Sequence, residues 1–244
     1  MPKPPAPEPS CLVLFTKPAR PGRVKTRLVG DRFSREQAAA LHAAFVGDLG
    51  ERLLRESFAL RVAWDLDPGD SVPVAPWPEV VSVRQEGGDL GERLYRALTD
   101  AGRDHPAVAA LGSDHPHLDP GAIHEAFRRI STGADVVLGP AEDGGYYLVA
   151  VGGGAVPRTV FQDIPWSTPE VLEATLARCR EAELRVHLLA ESWDVDRPDD
   201  VVRLAEVLAG DGPDLPRTRH LLARWGLLPT DEAPTGRAPM EVRS

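Results

Sequence analysis

At 244 residues, with 42% hydrophobic and 27% charged side chains, the chain has the profile of an ordinary globular protein whose core needs no staples. A formal net charge of −9 argues against a general nucleic-acid surface, so any anion would have to be held by a local cation cluster working against the overall field. Cys11 and Cys179 stand far apart with no CxxC or zinc-type spacing, and no apolar run approaches the ~20 residues of a membrane span, so the expectation is a cytoplasmic protein.

The proline-rich leader (residues 1–9) and the tail (229–244) carry nothing to bury and read as flexible arms around a single domain at 10–228. Within that domain short β-branched or apolar runs alternate with longer amphipathic segments, the pattern of a mainly parallel sheet covered by helices. "CLVLFT" (11–16) is the first strand, and Ser34 with Gln37 forms a capping box ahead of "AAALHAAFVGDLGERLL". "ALRVAW" (59–64) and "VVSVR" (80–84) flank the proline-rich "DPGDSVPVAPWPE", which predicts an irregular loop. "AVAALGS" (107–113), "ADVVLG" (134–139), "YYLVAV" (146–151) and "RVHLLA" (185–190) complete the strands. Asp119-Pro120, Thr168-Pro169 and Arg197-Pro198 each place proline at a first helical turn.

Ligands of open parallel sheets bind outside the carboxyl ends of the strands, so the loops after the strands are where chemistry is expected. The first, "FTKPARPGRVKTRL" (15–28), carries five cations: Lys17, Arg20, Arg23, Lys25 and Arg27. Gly22 gives the backbone a tight path, and Lys25, Thr26 and Arg27 together offer charge, a hydroxyl and N–H groups to one anion. The alternative is a solvated basic turn that only balances nearby acids. A Walker A loop is excluded, because Val24 stands where glycine must precede the lysine.

In "RQEGGDLGERL" (84–94), Gly87 and Gly88 admit a ligand to the main chain or simply make a strand-to-helix turn, and the Gln85 amide suits a base edge or a sugar hydroxyl. In "LGSDHPHLDP", Asp114 lies just past a strand, well placed to hold Mg2+ or Mn2+. His115, His117 and Asp119 echo a binuclear-hydrolase pattern, but no further histidine follows and Asp119 reads as a helix cap. In "GPAEDGGYYLVAV", Glu142 and Asp143 precede Gly144 and Gly145, which suits a ligand hydroxyl meeting a base, or else a tight hairpin with acidic turn residues. Alternation sends Tyr146 and Tyr147 to opposite faces. In "SWDVDRPDDV", Asp194 and Asp196 fall on one side and can share a metal with Asp114, while Asp199 and Asp200 answer a helix dipole. Trp166 and Ser167 of "IPWSTPEVL" either shape an acceptor pocket or belong to a helix cap at Thr168.

Taken together, "FTKPARPGRVKTRL", "GGDLGERL", "GSDHPHL", "GPAEDGGYYLVAV", "IPWSTPEVLEAT" and "DVDRPDDV" resemble the GT-A nucleotide-diphospho-sugar transferase superfamily over roughly residues 11–208. The resemblance is closest to a bacterial family of unknown function often labelled glycosyltransferase. "GGDLGERL" and "DVDRPDD" also resemble molybdenum-cofactor guanylyltransferases. The resemblance implies an α/β, GT-A (Rossmann-like) single domain, with a mixed, mostly parallel sheet of about seven strands flanked by helices. It also implies a nucleotide over the first strand's loop, with Asp114 as metal ligand and Asp196 as a second.

Combined with the loop readings, the expected nucleotide contacts are Phe15, Thr16, Lys17, Gly22, Lys25, Thr26, Arg27, Gln85, Gly87, Gly88, Ser113 and Asp114. Metal ligands are Asp114, Asp196 and Asp194; Lys25 with Asp143 or Glu142 is catalytic. Gly144, Gly145, Tyr146, Trp166 and Ser167 line the acceptor side. Two departures stand out: "TKPARPG" replaces the glycine-rich loop of many nucleotidyltransferases, and the Asp-x-Asp of glycosyltransferases appears as Ser113-Asp114. The expected activity is metal-dependent glycosyl transfer from a nucleotide-sugar donor to a small-molecule acceptor. The alternatives are nucleotidyl transfer with pyrophosphate release and a non-catalytic nucleotide-binding module. No nucleic-acid partner is expected, and a homodimer is left open.

Overall fold

The structure, a computed structural model, describes residues 9–75, 77 and 80–228; the leader apart from Pro9 and the tail lie outside the described residues. The strands are β1 (Cys11–Thr16), β2 (Ala59–Trp64), β3 (Val81–Arg84), β4 (Ala107–Gly112), β5 (Val136–Pro140), β6 (Tyr146–Gly152) and β7 (Val186–Leu188). They form one sheet in the order β3-β2-β1-β4-β6-β5-β7. Its pairs are parallel except that β6 runs antiparallel to both β4 and β5. All six residues of β1 are buried, which is why this strand reads as a continuous apolar run rather than an alternating one. β1 pairs with β2 on one side and β4 on the other, so the loops after these three strands open side by side at their carboxyl ends.

The helices are α1 (Arg35–Leu53), α2 (Leu90–Ala101), α3 (Pro120–Ser131), α4 (Val171–Glu181), α5 (Pro198–Ala209) and α6 (Pro216–Arg224). One face of the sheet is covered by α1 and α3, through Leu49, Leu53, Ile123 and Phe127 against Leu12, Leu14 and Val62. The other is covered by α2 and α4, through Leu94, Leu98 and Cys179 against Cys11, Val13 and Phe15. Burial pushes the Cys11 and Cys179 thiols up to about 11, so both are inert thiols of the core. A third apolar cluster joins the start of α1 to α5, α6 and Trp193. There Asp48 of α1, its side chain fully buried, accepts from Thr218 N at 2.8 Å and Thr218 Oγ at 2.7 Å in the first turn of α6.

The capping signals largely act as expected. Ser34 and Gln37 exchange both capping-box hydrogen bonds, Asp119 accepts from Gly121 N, and α5 begins at Pro198. Thr168-Pro169 does not start a helix, since α4 begins at Val171 after Glu170. The Thr168 hydroxyl instead donates to Pro165 O at 2.7 Å, and residues 165–170 form a turn laid against the loop between β5 and β6. Leu172 N donates to Gly144 O at 2.9 Å, tying α4 to that loop. The acidic "AEDGG" stretch is thus a β-hairpin turn, and Gly144, at φ 87°, is needed because a Cβ there would collide with Pro169 O.

Candidate active site

The cleft lies where the loops after β1, β2 and β4 meet the segment 194–197, and it has two lobes that share Phe15, Arg27, Asp114, Ser167 and Asp196. The first, of about 600 Å³, is also lined by Thr16, Lys17, Arg23, Lys25, Thr26, Gln85 and Ser113. The second, of about 520 Å³, is also lined by Asp143, Gly145, Tyr146, Trp166 and Asp194. Both are of a size that takes a small organic ligand.

Lys25 lines the first lobe, beside Asp114 and Asp196, which the two lobes share. Its side chain is 2% exposed, and Nζ lies 2.6 Å from Asp114 Oδ1 and 3.0 Å from Asp196 Oδ1. It donates as well to Val195 O at 2.7 Å, so the three ammonium protons have three acceptors. Lys25 holds a left-handed backbone (φ 48°, ψ 39°), uncommon for a side-chain-bearing residue. Burial opposes its charge, but Asp114 and Asp196 outweigh burial and raise its pKa. Burial likewise opposes ionisation of Asp114, and the Lys25 ammonium outweighs it and holds that carboxyl below the usual range. Asp196 is positioned from behind: Asp200 Oδ2 accepts from Asp196 N at 3.0 Å and Arg197 N at 2.6 Å.

The remaining cations of the opening stretch divide sharply from Lys25. Lys17 pairs with Asp65 at 3.0 Å, Arg20 with Asp70 at 2.8 Å and with Asp67, and Arg23 with Asp67. Arg20 and Gly22 belong to a separate surface depression and line neither lobe. Gly22 does take the positive φ, 74°, that the tight path requires. Arg27, 60% exposed and 3.6 Å from Asp196, faces both lobes.

Other expected residues fall outside the cleft. Gly87 and Gly88 line neither lobe; they form the turn into α2, where Gly88 N donates to Glu92 Oε2 at 2.9 Å. Glu142 is removed from the candidate bases: both its oxygens accept from Arg203, at 2.8 and 2.9 Å, and Arg203 in turn stacks on Trp193. Gly144 serves the hairpin's packing. Asp143 faces the second lobe, with Oδ1 accepting from Gly145 N at 2.9 Å. Trp166 and Tyr146 form its aromatic wall, ring centroids 6.2 Å apart. Gln85 Nε2 donates to Ala63 O at 2.9 Å and Thr16 O at 3.3 Å, and among the described residues nothing donates to its Oε1.

Asp194 lies 3.2 Å from His115 Nδ1 rather than against Lys25. Burial, then the charges of Asp143, Asp114 and Asp196, push its carboxyl up to about 8. Burial also drives His115 down to about 3 and His117 to about 4, so both rings are neutral at neutral pH. Asp119 is turned to its helix cap, accepting from Gly121 N. Among the described residues no group of three or more His, Cys, Asp or Glu is arranged to hold a metal ion. The chemistry of the site still fits a hard divalent ion, because two carboxylates converge on one cationic point and Mg2+ is commonly held by one or two carboxylates plus substrate phosphates.

Two groups were missed. His42, buried in α1, donates from Nε2 to Lys17 O at 3.0 Å and lines the first lobe; in sequence it is a lone histidine on an apolar helix face. Asp65, bridging Lys17 and Arg93, also lines it, and its position directly after β2 was signal enough under the strand-end rule.

The sequence matches the family described as "Uncharacterized protein conserved in bacteria (DUF2064)" over residues 55–168. No curated protein matches it. The fold is similar to that of a candidate nucleotide-diphospho-sugar transferase from Desulfovibrio desulfuricans G20, at TM-score 0.79 and 29% identity, over 89% of this chain and 98% of that one. A 4-diphosphocytidyl-2C-methyl-D-erythritol synthase from Anaerococcus prevotii DSM 20548 aligns at TM-score 0.54 and 7% identity, over 82% of this chain and 98% of that one, a likeness of fold alone. These matches bear out the resemblance and the mixed, mostly parallel seven-stranded fold.

Proposed function

We propose that the protein is a transferase acting on a nucleotide-activated donor, and that the group transferred is a glycosyl unit passed from a nucleotide-diphospho-sugar to a small-molecule acceptor. The observation that carries this reading is the Lys25–Asp114–Asp196 cluster at the junction of two lobes, one rich in cations and main-chain edges, the other aromatic and acidic. The name and full-length similarity of the Desulfovibrio protein support the same class.

In this reading the donor's nucleotide lies in the first lobe, with Gln85 Oε1 open to a donor group of the base or ribose. Lys25 and Arg27 supply positive charge to the leaving diphosphate, the kind of fixed electrostatic help that dominates many transfer reactions. Asp143, in the second lobe, takes the proton from the acceptor hydroxyl. Tyr146, Trp166, Ser167 and Gly145 position that acceptor. Mg2+ or Mn2+ held by Asp114 and Asp196 would neutralise diphosphate charge when bound.

The test is a thermal-shift panel of nucleotides and nucleotide-sugars with and without Mg2+ or Mn2+, followed by product analysis. Release of a nucleoside diphosphate from a nucleotide-sugar supports the reading. Pyrophosphate release from a nucleoside triphosphate and a sugar phosphate replaces it with nucleotidyl transfer. Stabilisation by a nucleotide with no turnover of any donor leaves a binding module.

A further inference from the structure

The ammonium of Lys25 occupies the point on which Asp114 and Asp196 converge, and all its protons are spoken for. A lysine so placed cannot also grip a diphosphate without giving up a partner. Its two carboxylate partners, by contrast, remain reachable: their side chains are 39% and 30% exposed and line both lobes, while Lys25 itself is 2% exposed behind them. The left-handed backbone of Lys25, uncommon for a residue with a side chain, is held in place by these contacts.

We propose, resting on the donor-site reading above, that Lys25 is a displaceable counter-ion. It holds Asp114 and Asp196 together in the free protein, and it yields that place to a divalent cation only when the cation arrives with donor phosphates that can receive the ammonium in turn. Two observations converge on this. A divalent ion approaching alone would meet two carboxylates whose charge is already partly answered by an adjacent ammonium, and two carboxylates are an incomplete set without phosphate oxygens. A diphosphate drawn into the first lobe, which Arg23 and Arg27 also line, would bring anionic oxygens to the displaced ammonium in place of the carboxylates it leaves. The device would make metal binding conditional on the donor and would time the arrival of the Lys25 charge to the leaving group.

The chain suits a direct test because its lysines are Lys3, Lys17 and Lys25 alone. In the full-length protein labelled with 15N-lysine, the buried Lys25 ammonium should give a protected NMR signal, assigned by its loss in Lys25→Met. Millimolar Mg2+ alone should leave it in place, and Mg2+ with inorganic pyrophosphate should move it. Mn2+ titration by electron paramagnetic resonance should find Lys25→Met binding the ion at least about tenfold more tightly than the parent without any phosphate, equivalent to about 1.4 kcal/mol. The proposal is overturned if Mg2+ alone shifts the Lys25 signal as far as Mg2+ with pyrophosphate, or if Lys25→Met gains no Mn2+ affinity. Should Lys25→Met fail to fold, Lys3→Arg and Lys17→Arg assign the Lys25 signal of the parent by elimination, and its response decides. If pyrophosphate moves Lys25 while no nucleotide-sugar stabilises the protein, the exchange stands and the donor reading falls; the converse result removes the exchange alone.

Discussion

Lys25 and its neighbours Arg20 and Arg23 come from one short stretch, carry the same charge and end in opposite circumstances. Lys25 is enclosed by two carboxylates and a carbonyl, with 2% of its side chain exposed; Arg20 and Arg23 are 47% and 62% exposed and pair with Asp67 and Asp70 of the loop after β2. Charge density in the sequence is shared by all of them. What separates them is enclosure, since a cation in a dry setting interacts strongly with what faces it and one at the surface is screened.

The sharpest break of that comparison is Lys25→Ala. A single well-placed donor is worth about 3 kcal/mol in the transition state, so turnover of a donor substrate, followed as nucleoside diphosphate release, should fall on the order of a hundredfold. Arg20→Ala should leave turnover within about twofold, as befits a residue outside both lobes. Equal losses from the two substitutions would mean that the outer cations, too, grip the leaving group.

Whether enclosure matters away from the cleft can be asked at Asp48. Its carboxylate accepts from Thr218 N, Thr218 Oγ and Arg217 N, fastening α6 to α1. Asp48→Ala leaves the buried Thr218 donors unpaired and should cost about 3 kcal/mol in urea denaturation. A cost near that of a surface ion pair would show that burial alone does not set the scale.

The strands, most helix starts and the position of the cleft were legible because they rest on local signals: apolar runs, proline at first turns and the strand-end rule. The site was legible in part for the same reason, since Lys25, Asp114 and Asp196 all lie just past strands or at helix entries. Illegible were the partners. Nothing in "AEDGG" tells that Glu142 faces Arg203, 61 positions away in the chain, or that Gly144 is required by a main-chain approach of Pro169. Thr168-Pro169 carries the letters of a helix start, and tertiary packing of the 165–170 turn against the hairpin overrode them. Asp48 and α6 went unread because a buried aspartate in mid-helix looks, in sequence, like any solvated one.

An uncharged enclosed group gives a third, smaller contrast. His117 is stacked on Trp193 with ring centroids 4.1 Å apart, and burial lowers its pKa from 6.5 to about 4. Between those values the unfolded chain binds the proton and the folded one does not, so this group's contribution to stability falls as pH drops through that window and is constant above it. One such group contributes a slope of up to about 1.4 kcal/mol per pH unit. Measured against His117→Gln, the parent's urea midpoint should therefore fall as pH goes from 7 to 4, a difference that cancels out the opposing slope of Asp194, whose carboxyl is pushed up to about 8. An unchanged slope would place the acid sensitivity elsewhere.

The weakest expected effect belongs to Arg23, which is the finest test of the comparison because it pairs outside and yet lines the first lobe. Exposed ion pairs contribute about 0–1 kcal/mol, so Arg23→Ala should change the denaturation midpoint only slightly. Its charge still adds to the field seen by an incoming anionic donor. At low ionic strength the substitution should therefore raise the KM for that donor while kcat stays unchanged. At about 1 M salt, where the screening length shrinks to about 3 Å, the KM difference should disappear. A difference that survives high salt, or one that appears in kcat, would mean Arg23 leaves Asp67 to contact the donor directly, and the line drawn between enclosed and exposed cations would have to move outward to include it.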